Sequence, residues 1–191
     1  MTLATASSRG LVTAPHALAA DVGARLLACG ANAIEAAIAV SAALSVVYPH
    51  MTGLGGDAFW LISNGRESSV RGLAAAGQAG RSYHAEVFRA RGLSQIPFRG
   101  ALSAMTVPGM LRGWEAAHSF SAATWGGKMG WSELLAPAYE LAAGGFPLSG
   151  NQDRTLRHYL RALEGDAEFC AQYLPQGRLP VAGETFRQPA L

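Results

Sequence analysis

The chain has 191 residues, half of them apolar and only 15% charged, with a formal net charge of +2. That composition excludes a disordered chain, suits one packed domain or part of a larger one, and leaves so few charges that a partner is expected to cover some apolar surface. The arginines, among them Arg66, Arg71, Arg99 and Arg112, are scattered and Lys128 is the sole lysine, so no basic run points to nucleic acid.

Residues 1–10 are small and polar and lack the charged start and apolar centre of a secretory signal. With Met1 in place the expected compartment is the cytoplasm; a periplasmic chain would need a leader that has been removed. Residues 17–29 repeat apolar positions at helical spacing, and Gly30 follows as a stop. Asn32 is the predicted N-cap of a second helix, residues 33–47, apolar nearly all round and therefore central and buried. That run is the closest approach to a membrane span and falls short of the roughly 18 residues one needs.

Pro49 ends this helical hairpin, and the glycine-rich MTGLGGDAF follows. Residues 59–63 (FWLIS) read as a buried strand, Asn64-Gly65 as a two-residue hairpin turn, and residues 68–73 as the returning strand. Helix is predicted again over 82–91 and 110–120, with Trp114 on the inner face, and irregular chain over 97–109. Ser132 is the predicted cap of a helix over 133–143, which places Pro137 in its first turn, where proline is tolerated. Gly144-Gly145 stops it, Ser149 caps a helix over 151–163, and residues 175–191 carry three prolines and no periodicity.

Several residues invite a chemical reading. Gly53, Gly55 and Ala58 match the spacing of a dinucleotide fingerprint. A strand must precede that fingerprint and an acidic residue must follow about 20 positions on, and neither is present. The loop is therefore either a tight turn into a strand or a place where backbone approaches a ligand or a neighbouring chain's active site. Asp57 within it suits capping of backbone amides. Arg71, set among Gly72 and alanines, offers a planar fork for a carboxylate or else serves an ordinary ion pair. His16, His50, His84, His118 and His158 lie near no serine or cysteine in a nucleophilic pattern, and no G-x-S-x-G elbow occurs. Cys29 reads as a small core residue, and its pairing with Cys170 stays open. No Cys–His cluster has metal-ligand spacing, so no zinc site is expected. The chain holds no self-sufficient catalytic machinery.

Five collinear segments belong together: GLVTAPHALAADVGARLLACGANAIEAAIAVSAAL, then YPHMTGLGGDAF from Tyr48, Val107-Pro108-Gly109 with Gly113-Trp114-Glu115, WSELLAPAYELAAGGFPLS from Trp131, and the terminal GETFRQPAL. Taken together they resemble the γ-glutamyltransferases (γ-glutamyl transpeptidases) and their cephalosporin and glutaryl acylase branch. The resemblance implies an N-terminal nucleophile hydrolase, an α/β fold of αββα sandwich type completed by a second chain. It makes residues 1–191 the N-terminal part of the large subunit, helix-rich after residue 80. The partner would be a small β chain whose new N-terminal Thr or Ser is nucleophile and, through its α-amine, base. The substrate would be a small-molecule amide with a distal carboxylate, without nucleic acid, membrane, metal or cofactor.

The resemblance also assigns Arg71 to the substrate carboxylate, in a segment, Arg71-Gly72-Leu73-Ala74-Ala75, similar to the family's R-E-x-A-P. The missing glutamate and proline leave γ-glutamyl and glutaryl amides both open, the second being the acylase substrate type. A non-catalytic scaffold relative is the reading from a different class.

Overall fold

Small residues decide how closely the N-terminal helices approach. The computed structural model describes residues 3–7, 10–65 and 69–191. Helix α1 (Ala17–Ala28) and helix α2 (Ala33–Val47) form the expected helical hairpin. At their crossing a Cβ on Gly23 would stand 2.5 Å from Val40 and 2.9 Å from Val12. Only glycine admits that contact between α1, α2 and strand β2 (Gly10–Ala14). Strand β2 pairs antiparallel with β1 (Leu3–Ser7), a hairpin inside the stretch read from sequence as a polar start.

Asn32 caps α2 as expected, accepting the N–H groups of Ile34 and Glu35, and Glu35 completes a capping box from the N3 position. The helix is buried along most of its length and packs chiefly on α1 and on α5 (Trp131–Gly144). Cys29 corrects the core expectation. It lies past the last turn of α1 and is exposed, and both cysteines are free thiols.

Strand β3 (Ala58–Ile62) pairs antiparallel with β4 (Arg71–Ala75), from Ala58 opposite Ala75 to Ile62 opposite Arg71. The expected start of the second strand at Ser68 lies outside the described residues. The strand does not form as a buried one: Phe59 is 72% and Leu61 85% exposed, while Trp60 and Ile62 turn inward. A two-stranded hairpin has two faces, and helix α4 (Met110–Phe120) covers one. Trp114 on α4 is buried as expected, its indole N–H donating to Ser41 Oγ at 3.1 Å.

Helix α3 (Ala85–Arg89) is shorter than predicted. Helix α5 starts at Trp131, because Gly130 is the N-cap and Glu133 Oε2 accepts its N–H at 2.9 Å. Pro137 therefore sits inside the helix, beyond its first turn. Ser149 caps α6 (Gly150–Leu163) as expected, and α7 (Ala167–Tyr173) follows. The tail is not irregular throughout. Strand β6 (Thr185–Phe186) pairs with β5 (Phe146–Pro147), Phe146 and Phe186 meet edge to face at 5.9 Å, and Gln188 donates to the Val46 carbonyl at 2.6 Å. Among the described residues the strands thus form three two-stranded antiparallel pairs around a core centred on α2.

Candidate functional site

The glycine loop is a joint between the β3–β4 hairpin and α4. The Gly56 carbonyl accepts the N–H groups of Gly109 at 3.0 Å and Met110 at 2.9 Å, seating the start of α4. Asp57 Oδ1 accepts the Gly77 N–H at 3.1 Å, so it does cap backbone amides. On the far side a Cβ on Gly77 would lie 1.5 Å from the Val107 carbonyl oxygen, and one on Gly109 would lie 2.1 Å from that of Ala75. These glycines let two backbones touch. Gly53 and Gly55 differ: neither has a positive φ, and nothing lies within 4 Å of a Cβ placed on either. Neither conformation nor packing in this chain calls for glycine there. The loop leads into β3 and not into a helix, so no dinucleotide site forms.

Arg71 stands at the other end of the hairpin, as the first residue of β4. Four residue steps separate it from Ala75, which pairs with the loop end, a span of about 13 Å. Its guanidinium is exposed and lies 5.1 Å from the centroid of the Phe120 ring, a cation–π contact worth about 0.5–1 kcal/mol at an open site. It borders a recess of about 100 Å³ with Ser63, Asn64, Phe120, Thr124 and Trp125. Among the described residues it forms no ion pair. The structure thus places the two sequence candidates, the glycine loop and Arg71, apart on one hairpin.

Four of the five histidines hold structural hydrogen bonds. His16 caps α1, its Nδ1 accepting the Leu18 N–H at 3.3 Å, and burial pushes its pKa down. His50 packs edge-on against Tyr48 at 4.3 Å. Burial, then the nearby His16, push its pKa from 6.5 to about 4, so its ring is neutral near pH 7. His118 Nε2 bonds the Met129 carbonyl at 2.8 Å, and His84 the Ser82 carbonyl at 3.2 Å; His158 lies exposed against Tyr159. None is hydrogen-bonded to a hydroxyl or thiol nucleophile among the described residues. There, too, no group of three or more His, Cys, Asp or Glu is placed to hold a metal ion, and no helix is long and apolar enough to cross a membrane.

Two clusters were missed in the sequence. The first is built on Glu35, 2% exposed, whose carboxylate accepts the N–H groups of Asn32 and Met129, both at 2.8 Å, while Asn32 Nδ2 donates to Ser121 Oγ at 2.7 Å. Its legible signal was the N-x-x-E capping box. The second surrounds Gln152 and His50, between the Pro49 turn and α6, and had no sequence signal.

Known proteins resemble this chain along nearly its whole length. The family model described as Gamma-glutamyltranspeptidase matches residues 19–191. A glutathione hydrolase-like YwrD proenzyme of Bacillus subtilis is 39% identical over 184 residues, 96% of this chain and 34% of that protein. An oxamate amidohydrolase proenzyme of Klebsiella pneumoniae is 39% identical over 185 residues, 97% of this chain and 34% of that protein. The crystal structure of a cephalosporin acylase from Bacillus halodurans superposes with a TM-score of 0.76 at 31% identity, over 90% of this chain and 32% of the acylase. The chain spans about a third of the length of the curated relatives it matches.

Proposed function

The chain belongs to the gamma-glutamyltranspeptidase family, whose fold is the αββα sandwich of N-terminal nucleophile hydrolases, and on that premise we propose that it forms the N-terminal part of the large subunit of a self-processed amidohydrolase or acyltransferase. The reaction is cleavage of γ-glutamyl or glutaryl amides. A Thr or Ser at the new N-terminus of a small partner chain attacks the amide carbonyl, its own α-amine taking the hydroxyl proton. The tetrahedral adduct collapses, the protonated amine leaves, and the acyl-enzyme is resolved by water or by a second amine. Arg71 holds the distal carboxylate and so fixes how deep the acyl chain sits.

The observation that carries this reading is the family match along residues 19–191. The exposed Arg71 fork, without an ion pair among the described residues, supports the anchor role. Arg71→Ala is expected to lose about 2–5 kcal/mol in kcat/KM if a buried carboxylate is left unpaired. Rates on γ-glutamyl and glutaryl anilides measure this, and a kcat/KM unchanged on both removes Arg71 from the site. The two anilides also separate transpeptidase from acylase, because only the first carries an α-amine.

A second reading of the substrate rests on the 39% identical relative named for oxamate, whose amide carbon is bonded directly to a carboxylate. With so short an acid the anchor lies beside the reacting carbonyl, and a cation about 13 Å along the hairpin from the glycine-loop end reaches it only if the partner's nucleophile stands near Arg71. Release of ammonia from oxamate, compared with anilide cleavage, distinguishes the two.

A further inference from the structure

We infer that Phe120 is a positioning residue for the carboxylate anchor: its ring holds the Arg71 guanidinium in the orientation from which the fork meets a distal carboxylate. The inference rests on Arg71 serving as that anchor. Small residues bring the two side chains together. On α4, Gly113 meets the loop end of the hairpin, where an added Cβ would stand 2.8 Å from Ala75 Cβ and 3.0 Å from Ala58 Cβ. Phe120 follows seven residues on, on the same face of the helix and about 10 Å along its axis. Arg71 lies about 13 Å along the strand from Ala75, so helix and strand reach the far end of the hairpin together. There the guanidinium carbon sits over the Phe120 ring, 5.1 Å from its centroid.

The ring is the fixed member of this pair. Phe120 is half-buried and packs on the core, with the Trp125 ring beside it at 6.3 Å. The chain that follows it is a π-helical turn, Ser121–Trp125, a form frequent at functional sites. Ser121 is fully buried and accepts from the Asn32 side-chain amide at 2.7 Å, while Thr124 Oγ1 donates to the Phe120 carbonyl at 2.6 Å. Arg71 is exposed and forms no ion pair among the described residues. The ring thus restrains a side chain that would otherwise sample many rotamers.

The kind of contact suits an anchor. A guanidinium stacked by its face keeps its edge N–H groups, and two parallel bonds to a carboxylate need that edge. An aspartate or glutamate in place of the ring would compete with the substrate for those same N–H groups. The ring's negative face attracts the cation and leaves them free. Holding the fork beforehand also reduces the ordering that substrate binding must impose.

The test is kcat/KM on γ-glutamyl and glutaryl anilides with the whole self-processed enzyme. Phe120→Leu keeps apolar bulk and removes the ring; it should lower kcat/KM about two- to fivefold on both, the weight of an exposed cation–π contact. Phe120→Tyr should keep the parent rate. In the Arg71→Ala background, Phe120→Leu should cost nothing further. Phenylalanine carrying one, two or three ring fluorines at position 120 keeps the shape and withdraws electrons from the ring face. Its kcat/KM should fall stepwise, which decides the matter even if Phe120→Leu does not fold. An undiminished rate through the fluorinated series overturns the inference, as does an equal loss with and without Arg71, which would make the ring a packing residue. The anchor reading fails differently: no loss in Arg71→Ala removes the anchor itself, whereas a loss there with none on altering the ring removes only the positioning.

Discussion

The glycines of the loop region divide into two kinds, and substitution should separate them. Gly77 and Gly109 are in backbone-to-backbone contact, where no rotamer change relieves an added methyl. Gly77→Ala is expected to cost at least about 3 kcal/mol, measured by urea unfolding. Gly53→Ala and Gly55→Ala meet nothing in this chain and should stay within about 0.5 kcal/mol of the parent. If the loop faces the substrate or the partner's nucleophile, those two mild substitutions reduce turnover; if turnover is also unchanged, the loop is only a turn. A second residue-scale expectation concerns pH. His50 has a folded pKa of about 4 against an ordinary 6.5, lowered by burial and by His16. Above 6.5 both folded and unfolded forms are neutral, and His50 contributes no slope. Between 6.5 and 4 the unfolded chain binds a proton that the folded chain refuses, so stability falls as pH falls. His16, lowered in the same direction, adds to it. Melting temperatures from pH 7 to 4.5 should drop less steeply in His50→Asn than in the parent.

At the scale of elements, the Glu35 carboxylate is the link between the start of α2 and the connection from α4 to α5. It satisfies the backbone N–H groups of Asn32 and of Met129, the second 94 positions from Glu35 itself, and a Cβ on Gly127 would lie 2.9 Å from its Oε1. Glu35→Ala leaves both donors without their acceptor and should cost about 2–3 kcal/mol, whereas Glu35→Gln, which keeps one acceptor oxygen, should cost less. Equal losses in chemical denaturation would mean the charge, not the geometry, matters. This link also shows where sequence reading stops. Helices α1, α2, α4 and α6 were legible because their caps and apolar spacing are local, as Asn32 and Ser149 show. The partner of Glu35, Met129, is set by tertiary packing. The β5–β6 pair was illegible for the same reason, since two residues at Phe146–Pro147 and two at Thr185–Phe186 carry no period. FWLIS was read as buried because an apolar run does not say how many faces are covered. Of the candidate site, Arg71 stood out by its setting among small residues and was assigned to the substrate carboxylate by resemblance, and the glycine loop stood out by composition; the surroundings of Gln152 were not visible, because unpaired buried atoms have no sequence pattern.

For the whole molecule, the open face of the β3–β4 hairpin is the feature that composition foreshadowed. With only 15% charged residues, a solitary chain has little polar surface to spare, and Phe59, Leu61 and Val70 stand exposed on or beside one hairpin. The chain covers about a third of the relatives it matches, and the proposed partner carries the nucleophile. A second sheet laid on this face would bury those side chains and bring the partner against the same hairpin that carries Arg71 and the glycine loop. Leu61→Asp tests this placement. Because Leu61 is 85% exposed, the substitution should change the stability of this chain by no more than about 0.5 kcal/mol. Against a dry sheet interface the same carboxylate would be buried without a partner, and docking should fail. Co-purification of the small chain from the co-expressed or self-processed protein should then be lost together with amide hydrolysis, while circular dichroism of the large chain is unchanged. An undiminished two-chain complex with Leu61→Asp would move the partner to another face and, with it, take the proposed catalytic centre away from the hairpin.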